Sequence, residues 1–297
     1  MFPKLCLGTA QFGLPYGVTN NLGQVSEKEV ARILLEANAS DITFIDTAQS
    51  YGNSEEILGR NLAIGNSFRV ISKMSATQKS SFVASDVLIW EREFQLSCKR
   101  LKLESMDSWL LHAPAELSKP GANYLEDWLF GLRQRGLVQR LGVSIYTADD
   151  LQGVNPGLLD IVQLPLSLFD QRLLQDGTLA RLRAAGTAIH ARSLYLQGLL
   201  LTPAEQWPPW VSPEVRAHQH ALEALAQEKG CQLIHLALGF ARVQEDLETV
   251  VIGVCSCYEL AELSAAWSAT SLLQNIDWGS WALNEQLFLD PRRWPIL

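Results

Sequence analysis

Residues 43–56 read TFIDTAQSYGNSEE, and the change of character along this stretch decides how the rest of the chain is read. Thr43 through Asp46 have the β-branched, aromatic and apolar make-up of a buried strand that ends on an acid. The last four residues look like a helix start. Asn53 or Ser54 can cap it, and Glu55 and Glu56 put negative charge into its first turn. Ile57, Leu58 and Leu62 then face inward, and Gly65 ends the helix. Between strand and helix, Asp46 and Tyr51 sit in a turn of small polar residues.

The strand–turn–helix unit recurs. Short apolar or β-branched runs occur at KLCLG (4–8), ITFID (42–46), RVISK (69–73), SWLLH (108–112), RLGVS (140–144), DIVQL (160–164), TAIHA (187–191) and TVVIG (249–253). Helical periodicity separates them. In SEKEVARILLEA, Ser26 and Glu29 are spaced as a capping box, and Val30, Ile33, Leu34 and Ala37 form one apolar stripe. Thr147 with Asp149 and Asp150 caps another helix, which Asn155-Pro156-Gly157 breaks. Eight strands alternating with helices predict an α/β fold, a single (β/α)8 TIM barrel with residues 1–297 as one domain. An open doubly wound sheet would carry G-x-G-x-x-G after its first strand, whereas GTAQFGLPYG (8–17) has the wrong glycine spacing. The spacing is uneven once, between about 193 and 248. There TPAEQWPPWVSP (202–213) predicts either a lid-like insertion, about 201–213, or a stiff surface loop.

Bulk properties narrow the function classes. A 297-residue chain that is 47% hydrophobic and 19% charged has ample material for a core. Its net charge of −8 argues against a nucleic-acid footprint or attraction to an anionic membrane. The five cysteines, at 6, 98, 231, 255 and 257, make no disulfide framework and read as free thiols in a reducing compartment. The opening MFPKLCLGTAQFG lacks a signal-peptide pattern, and no run approaches the ~18 apolar residues of a membrane span, so a cytoplasmic location is expected.

Barrel active sites lie at the C-terminal ends of the strands, which singles out Asp46, Lys73, His112, Ser144, Gln163 and Arg192. A phenol with an ordinary pKa of about 10 becomes a useful acid near neutrality only beside a cation. Lys73 is the cation available to Tyr51, Asp46 can hold Lys73, and His112 can orient a carbonyl oxygen. Such a cluster donates a proton to an oxygen that gains negative charge. One His and one Asp are too few for a metal hydrolase, so no metal is expected, and no G-x-S-x-G elbow marks a serine nucleophile.

At these residues the sequence resembles the aldo-keto reductase superfamily. LGTAQFG resembles that family's first strand and turn, and FIDTAQSYGNSEEILGR is similar to its strand-two signature, D-T-A-x-x-Y-G-x-S-E-x-x-L-G. VISK, LLHAP, GLVQRLGVS and VIGVCSCYEL resemble strand three with its lysine, strand four with its histidine, strand five and the coenzyme segment after strand eight. The resemblance runs over residues 4 to 263 and implies an NAD(P)H-dependent reductase of an aldehyde or ketone, sugars included. It implies Tyr51 as general acid, with Lys73 and Asp46 lowering its pKa and His112 positioning the carbonyl. NADP is the implied coenzyme, with NAD as the alternative. Gly8, Thr9, Asp46, Ser144 and Gln163 would surround the nicotinamide. Arg192, Ser193, Leu194, Gln197 and Leu199 would run along the ring and pyrophosphate. Gly253, Val254, Cys255, Ser256 and Cys257, with Glu259 and Glu262, would line the adenosine end.

The chain departs from the family pattern at Ile145, where Asn is common, and at Arg192, where many members stack an aromatic on the nicotinamide. Cys255 replaces an arginine for the 2′-phosphate, and the carboxylate of Glu259 would repel that phosphate. No hairpin-like stretch precedes strand one, so the barrel floor must close by other means. Phe12, Tyr16, Trp207 and Trp210 are expected to rim the substrate pocket. Trp267, Trp278, Trp281 and Trp294 are expected either to line it or to pack on the barrel. The partner expected is a small-molecule carbonyl substrate, bound by a monomer or small homo-oligomer. The alternative functional class is a coenzyme-binding, redox-sensing regulator with little turnover.

Overall fold

The computed structural model describes residues 2–64, 68–270, 273 and 275–295. Eight parallel strands close into a barrel in sequence order: β1 (Lys4–Gly8), β2 (Phe44–Asp46), β3 (Arg69–Met74), β4 (Met106–Leu111), β5 (Val138–Ser144), β6 (Ile161–Pro165), β7 (Ala188–Arg192) and β8 (Thr249–Gly253). Closure is made by β8 pairing with β1, Cys6 opposite Val251. All eight expected strands are present. Helices α1 (Glu27–Ala39), α2 (Ser54–Asn61), α3 (Asp86–Leu101), α4 (Ala122–Gln134), α5 (Thr178–Ala184), α6 (Pro213–Glu228), α7 (Leu233–Arg242) and α8 (Cys257–Ala269) lie around it. On α1 the predicted stripe of Val30, Ile33, Leu34 and Ala37 is the buried face. The expected stop at Gly65 lies outside the described residues. Between β5 and β6 only short 3-10 turns form, Ala148–Leu151 and Pro156–Leu158, because Pro156 follows the first by five residues. No helix among the described residues is long and apolar enough to cross a membrane.

Alternation along the strands orders the interior into layers. Stepping by two, Arg69, Ile71 and Lys73 run from floor to mouth, as do Ser108, Leu110 and the position of His112, and Ala188, His190 and Arg192. The middle layer is an apolar cluster of Cys6, Phe44, Ile71, Leu110 and Ile161. Below it, Arg69 lies 4.3 Å and Arg140 5.8 Å from the centre of the Phe44 ring. Asp107 bonds both arginines at 2.7 Å, and Glu248 joins Arg140 at 2.7 Å to His190 at 2.6 Å. This charged network lies at the floor of the barrel, where Phe44, Arg69 and Glu248 also border a cavity of about 450 Å³.

Candidate active site

The strand-two turn accounts for its own sequence. Asp46 ends β2, and Thr47 and Ser54 share a 3.2 Å hydroxyl bond across the turn. The Ser54 hydroxyl also donates to the Thr9 carbonyl at 3.0 Å, so it ties the first loop to the second instead of capping α2. Asn53 is the N-cap, but its side chain makes no capping bond and accepts instead from Gln24 at 2.7 Å. Glu55, expected as a first-turn charge, is buried and accepts from Ser72, Ser97 and Arg100 at 2.8, 3.1 and 3.4 Å. Gly52 has φ +54°, and a Cβ there would meet the Gly13 carbonyl at 2.3 Å. At Gly59 a Cβ would meet the Arg100 carbonyl at 1.8 Å, so only glycine lets α2 rest on α3. Half of this stretch therefore builds the turn that presents Tyr51.

Lys73 is fully buried, and its ammonium donates to both Asp46 oxygens, at 2.8 and 2.7 Å, and to the Thr47 carbonyl at 2.9 Å. It lies 5.0 Å from the centre of the Tyr51 ring. The Gln163 amide donates to Asp46 at 2.7 Å and so belongs to the same network. His112 stands just beyond β4, edge-on to Tyr51 at 6.0 Å, and its Nδ1 shares a 3.2 Å bond with Ser50. Burial pushes the Tyr51 phenol above its ordinary 10.0; Lys73 pulls it down, whereas Asp46 pushes it up. The expectation that Asp46 and Lys73 together lower this pKa is thus corrected, because burial prevails and the carboxylate opposes ionisation. Burial disfavours the Lys73 charge, but Asp46 and Tyr51 outweigh it and raise its pKa. Burial, then the cations Lys73 and Arg192, bring His112 down to about 4, so it is neutral near pH 7.

Above this cluster opens a cleft of about 810 Å³, within the usual ~300–1,000 Å³ of small-ligand sites. Tyr51, His112, Asp46, Gln163, Gly8 and Thr9 border it. Arg192, Ser193, Leu194 and Gln197 also border it, as do Gly253, which pairs with Gly8 across β1 and β8, and Val254, Cys255, Glu259 and Glu262 beyond it. Five expected residues do not border it. Lys73 lies fully buried below Tyr51. Ser144 is buried at the end of β5, Leu199 is packed in the core, Ser256 caps α8 by accepting from Glu259 N, and Cys257 directs its amide to Glu29. Ile145 is buried, and its carbonyl accepts from Arg192 at 2.9 Å.

Three carboxylates stand near the α8 terminus: Glu259 and Glu262 border the cleft, and Glu29 approaches from α1. Glu259 accepts from Cys255 N and Glu29 accepts from Cys257 N, at 2.7 and 2.8 Å. Ser26 does accept from Glu29 N, but the Glu29 side chain does not complete the expected capping box, because the α8 terminus offers it an unpaired amide. The rim also differs from expectation. Tyr16 borders the cleft, as do the unforeseen Tyr146 and Tyr195, whereas Phe12 is buried beneath it. Trp207 stacks on Phe288 at 5.3 Å, and Trp210 packs on Trp294 at 5.2 Å. Within the segment expected to be lid-like, Leu201 and Thr202 reach the cleft, and Arg216 donates to the carbonyls of Ala204, Trp207 and Pro208. Trp278 and Trp281 pack on Phe240 and His218, away from the site. His218 donates through Nε2 to the Trp281 carbonyl at 3.0 Å and sits against Phe169. A signal for Thr19 to Leu22, which border the cleft, was present: after a short helical turn, Ala10–Gly13, a long loop runs to α1 at the mouth.

The sequence model of the Aldo/keto reductase family matches residues 4–279. L-galactose dehydrogenase of Arabidopsis thaliana is 27% identical over 82% of this chain and 79% of its own. The 6-dehydroglucose reductase of Novosphingobium aromaticivorans is 27% identical over 68% of each chain. Among solved structures, an aldo-keto reductase from Bacillus halodurans in its holo form superposes with a TM-score of 0.68 at 19% identity, covering 90% of this chain and 87% of that one.

Proposed function

From the premise that the chain belongs to the Aldo/keto reductase family, a family of oxidoreductases acting on small carbonyl compounds, we propose that it is a nicotinamide-dependent reductase of an aldehyde or ketone, a sugar carbonyl among them. The observation that carries the reading is the buried Lys73 held by both Asp46 oxygens beneath the ring of Tyr51. A lysine with no exposure and its pKa raised keeps its charge where it acts on the phenol above it. A bound reduced nicotinamide would supply the hydride.

The chain's own residues do the rest. Tyr51 gives its proton to the carbonyl oxygen as negative charge develops there, and Lys73 steadies the phenolate left behind. Neutral His112, its ring oriented through Nδ1 by Ser50, positions that oxygen. Asp46 holds Lys73, and Gln163 in turn holds Asp46. The cleft fits the coenzyme: it runs from Tyr51 to the α8 terminus, and along it the buried Tyr195 hydroxyl has no bond partner. Gly8, Thr9 and Gln163 would meet the nicotinamide end, Ser193, Leu194 and Gln197 its middle, and Gly253 to Cys255 with Glu262 the adenosine end.

Glu259 and Glu29 favour NADH over NADPH, because each already occupies an amide at the helix terminus and would repel a 2′-phosphate. Titrating the protein with NADH and NADPH, followed by tryptophan fluorescence, tests both claims. NADH should bind more tightly, and Glu259→Gln should narrow the gap by up to about fivefold. Failure of both coenzymes to bind at millimolar concentration would end the reductase reading.

A further inference from the structure

We propose that the carbonyl substrate of this site carries a carboxylate and that Arg192 reads it; this rests on the reductase reading above. Three observations lead there. Arg192 is in no ion pair among the described residues, whereas the other charge bordering the cleft beside Tyr51, Asp46, is neutralised by the buried Lys73. Its guanidinium is fixed: Nη2 donates to the Ile145 carbonyl at 2.9 Å, Nη1 to the Ser193 hydroxyl at 3.2 Å, and the fork lies 4.1 Å from the centre of the Tyr146 ring. Arg292 covers the same ring at 3.7 Å but is itself tied to Asp290 by bonds at 2.9 and 2.7 Å.

A guanidinium has five N–H donors, and these contacts use two of them. The others belong to a half-buried side chain that borders the cleft beside His112 and Tyr51. Its charge is felt by both of those groups, lowering the pKa of each. Partial desolvation of a cation without a counter-charge is unfavourable until an anion arrives, and the stack on Tyr146 leaves little side-chain freedom to lose when it does. A planar two-oxygen anion matches the fork best, which selects a carboxylate rather than a neutral polyol. The ligand is therefore an oxo-acid, with its carbonyl at Tyr51 and His112 and its carboxylate at Arg192.

The test compares 4-carboxybenzaldehyde with its methyl ester, and 4-oxobutanoate with butanal, as substrates with NADH. Each acid should exceed its uncharged partner in kcat/KM by roughly 10- to 100-fold, mostly through KM, and Arg192→Met should erase that ratio while Arg192→Lys keeps part of it. Binding of 4-(hydroxymethyl)benzoate, measured by calorimetry on wild type and Arg192→Met, needs no turnover and should be lost in the variant. Equal use of acid and uncharged partner overturns the proposal. So does a weakened NADH Kd in Arg192→Met with the acid preference intact, since Arg192 would then serve the coenzyme alone. Absence of NADH binding fells the reductase reading separately, and the calorimetric arm still decides Arg192.

Discussion

At the floor of the barrel, Arg140 meets Asp107 and Glu248 at 2.7 Å each, Glu248 meets His190, and Phe44 lies over the arginines as a cover. At the mouth, Lys73 meets both Asp46 oxygens just as closely, yet the groups above it, Tyr51, His112 and Arg192, face a cleft. Both ends bury charge in the same scaffold. The floor pairs its charges with one another, although the buried His190 Nδ1 has no bond partner, and the mouth leaves Arg192 without an ion pair among the described residues. Barrel floors serve stability and mouths serve chemistry, and here the distinction lies in how completely each network is closed.

The comparison can be broken most severely at Lys73. Lys73→Met leaves the Asp46 carboxylate buried with only Gln163 to bond it, so unfolding stability should fall by about 3–5 kcal/mol. Carbonyl reduction should disappear as well. Denaturant melts and coenzyme oxidation read the two effects, and a stable variant would mean that the mouth pair is not structural. Tyr51→Phe should sharpen the contrast. Reduction should drop by about 10²–10⁴-fold, with the melting temperature and the NADH Kd close to wild type, since Lys73 keeps both Asp46 oxygens and the Thr47 carbonyl.

Arg140→Met is the counterpart at the floor. Stability should fall on the order of 2–4 kcal/mol, less than for a fully buried pair because Glu248 is a third exposed. Coenzyme affinity should not move.

The smallest effect is a difference in acid sensitivity. Burial would raise the Glu248 carboxyl from 4.5, but bonds from His190 and Arg140 hold it at about 2. Its folded pKa is depressed, so its contribution is present above 4.5 and is lost as pH falls toward 2. His112, brought from 6.5 to about 4 chiefly by burial, stays neutral in the fold while the unfolded chain takes up protons, so stability declines from pH 6.5 toward 4. Urea midpoints against pH should flatten in the lower window for Glu248→Gln and in the upper window for His112→Gln. The same window in both variants would contradict the separation of the two networks.

Much of the barrel was legible because strand signals are local. β-branched runs and period-2 alternation need only neighbouring residues, and they located all eight strands and the ring of residues at their ends. The helix expected after Thr147 failed where capping chemistry was read without regard to the length left before β6. The site was less legible. Thr147 and Asp150 did form their capping box, but Glu29 abandoned a local partner for a distant one, and Trp207 and Trp210, aromatic in a loop, turned toward the tail instead of the cleft.

The sequence by itself determined the strand count and order, and which side chains end up at the mouth, because backbone periodicity carries that information residue by residue. Only the tertiary structure decided who meets whom. Gln163 bonds Asp46 across 117 residues, Cys257 bonds Glu29 across 228, and Tyr146 is clasped by Arg192 and Arg292. Closing the barrel makes these pairs. No local pattern encodes such proximity, and the electrostatics of the site depend on it.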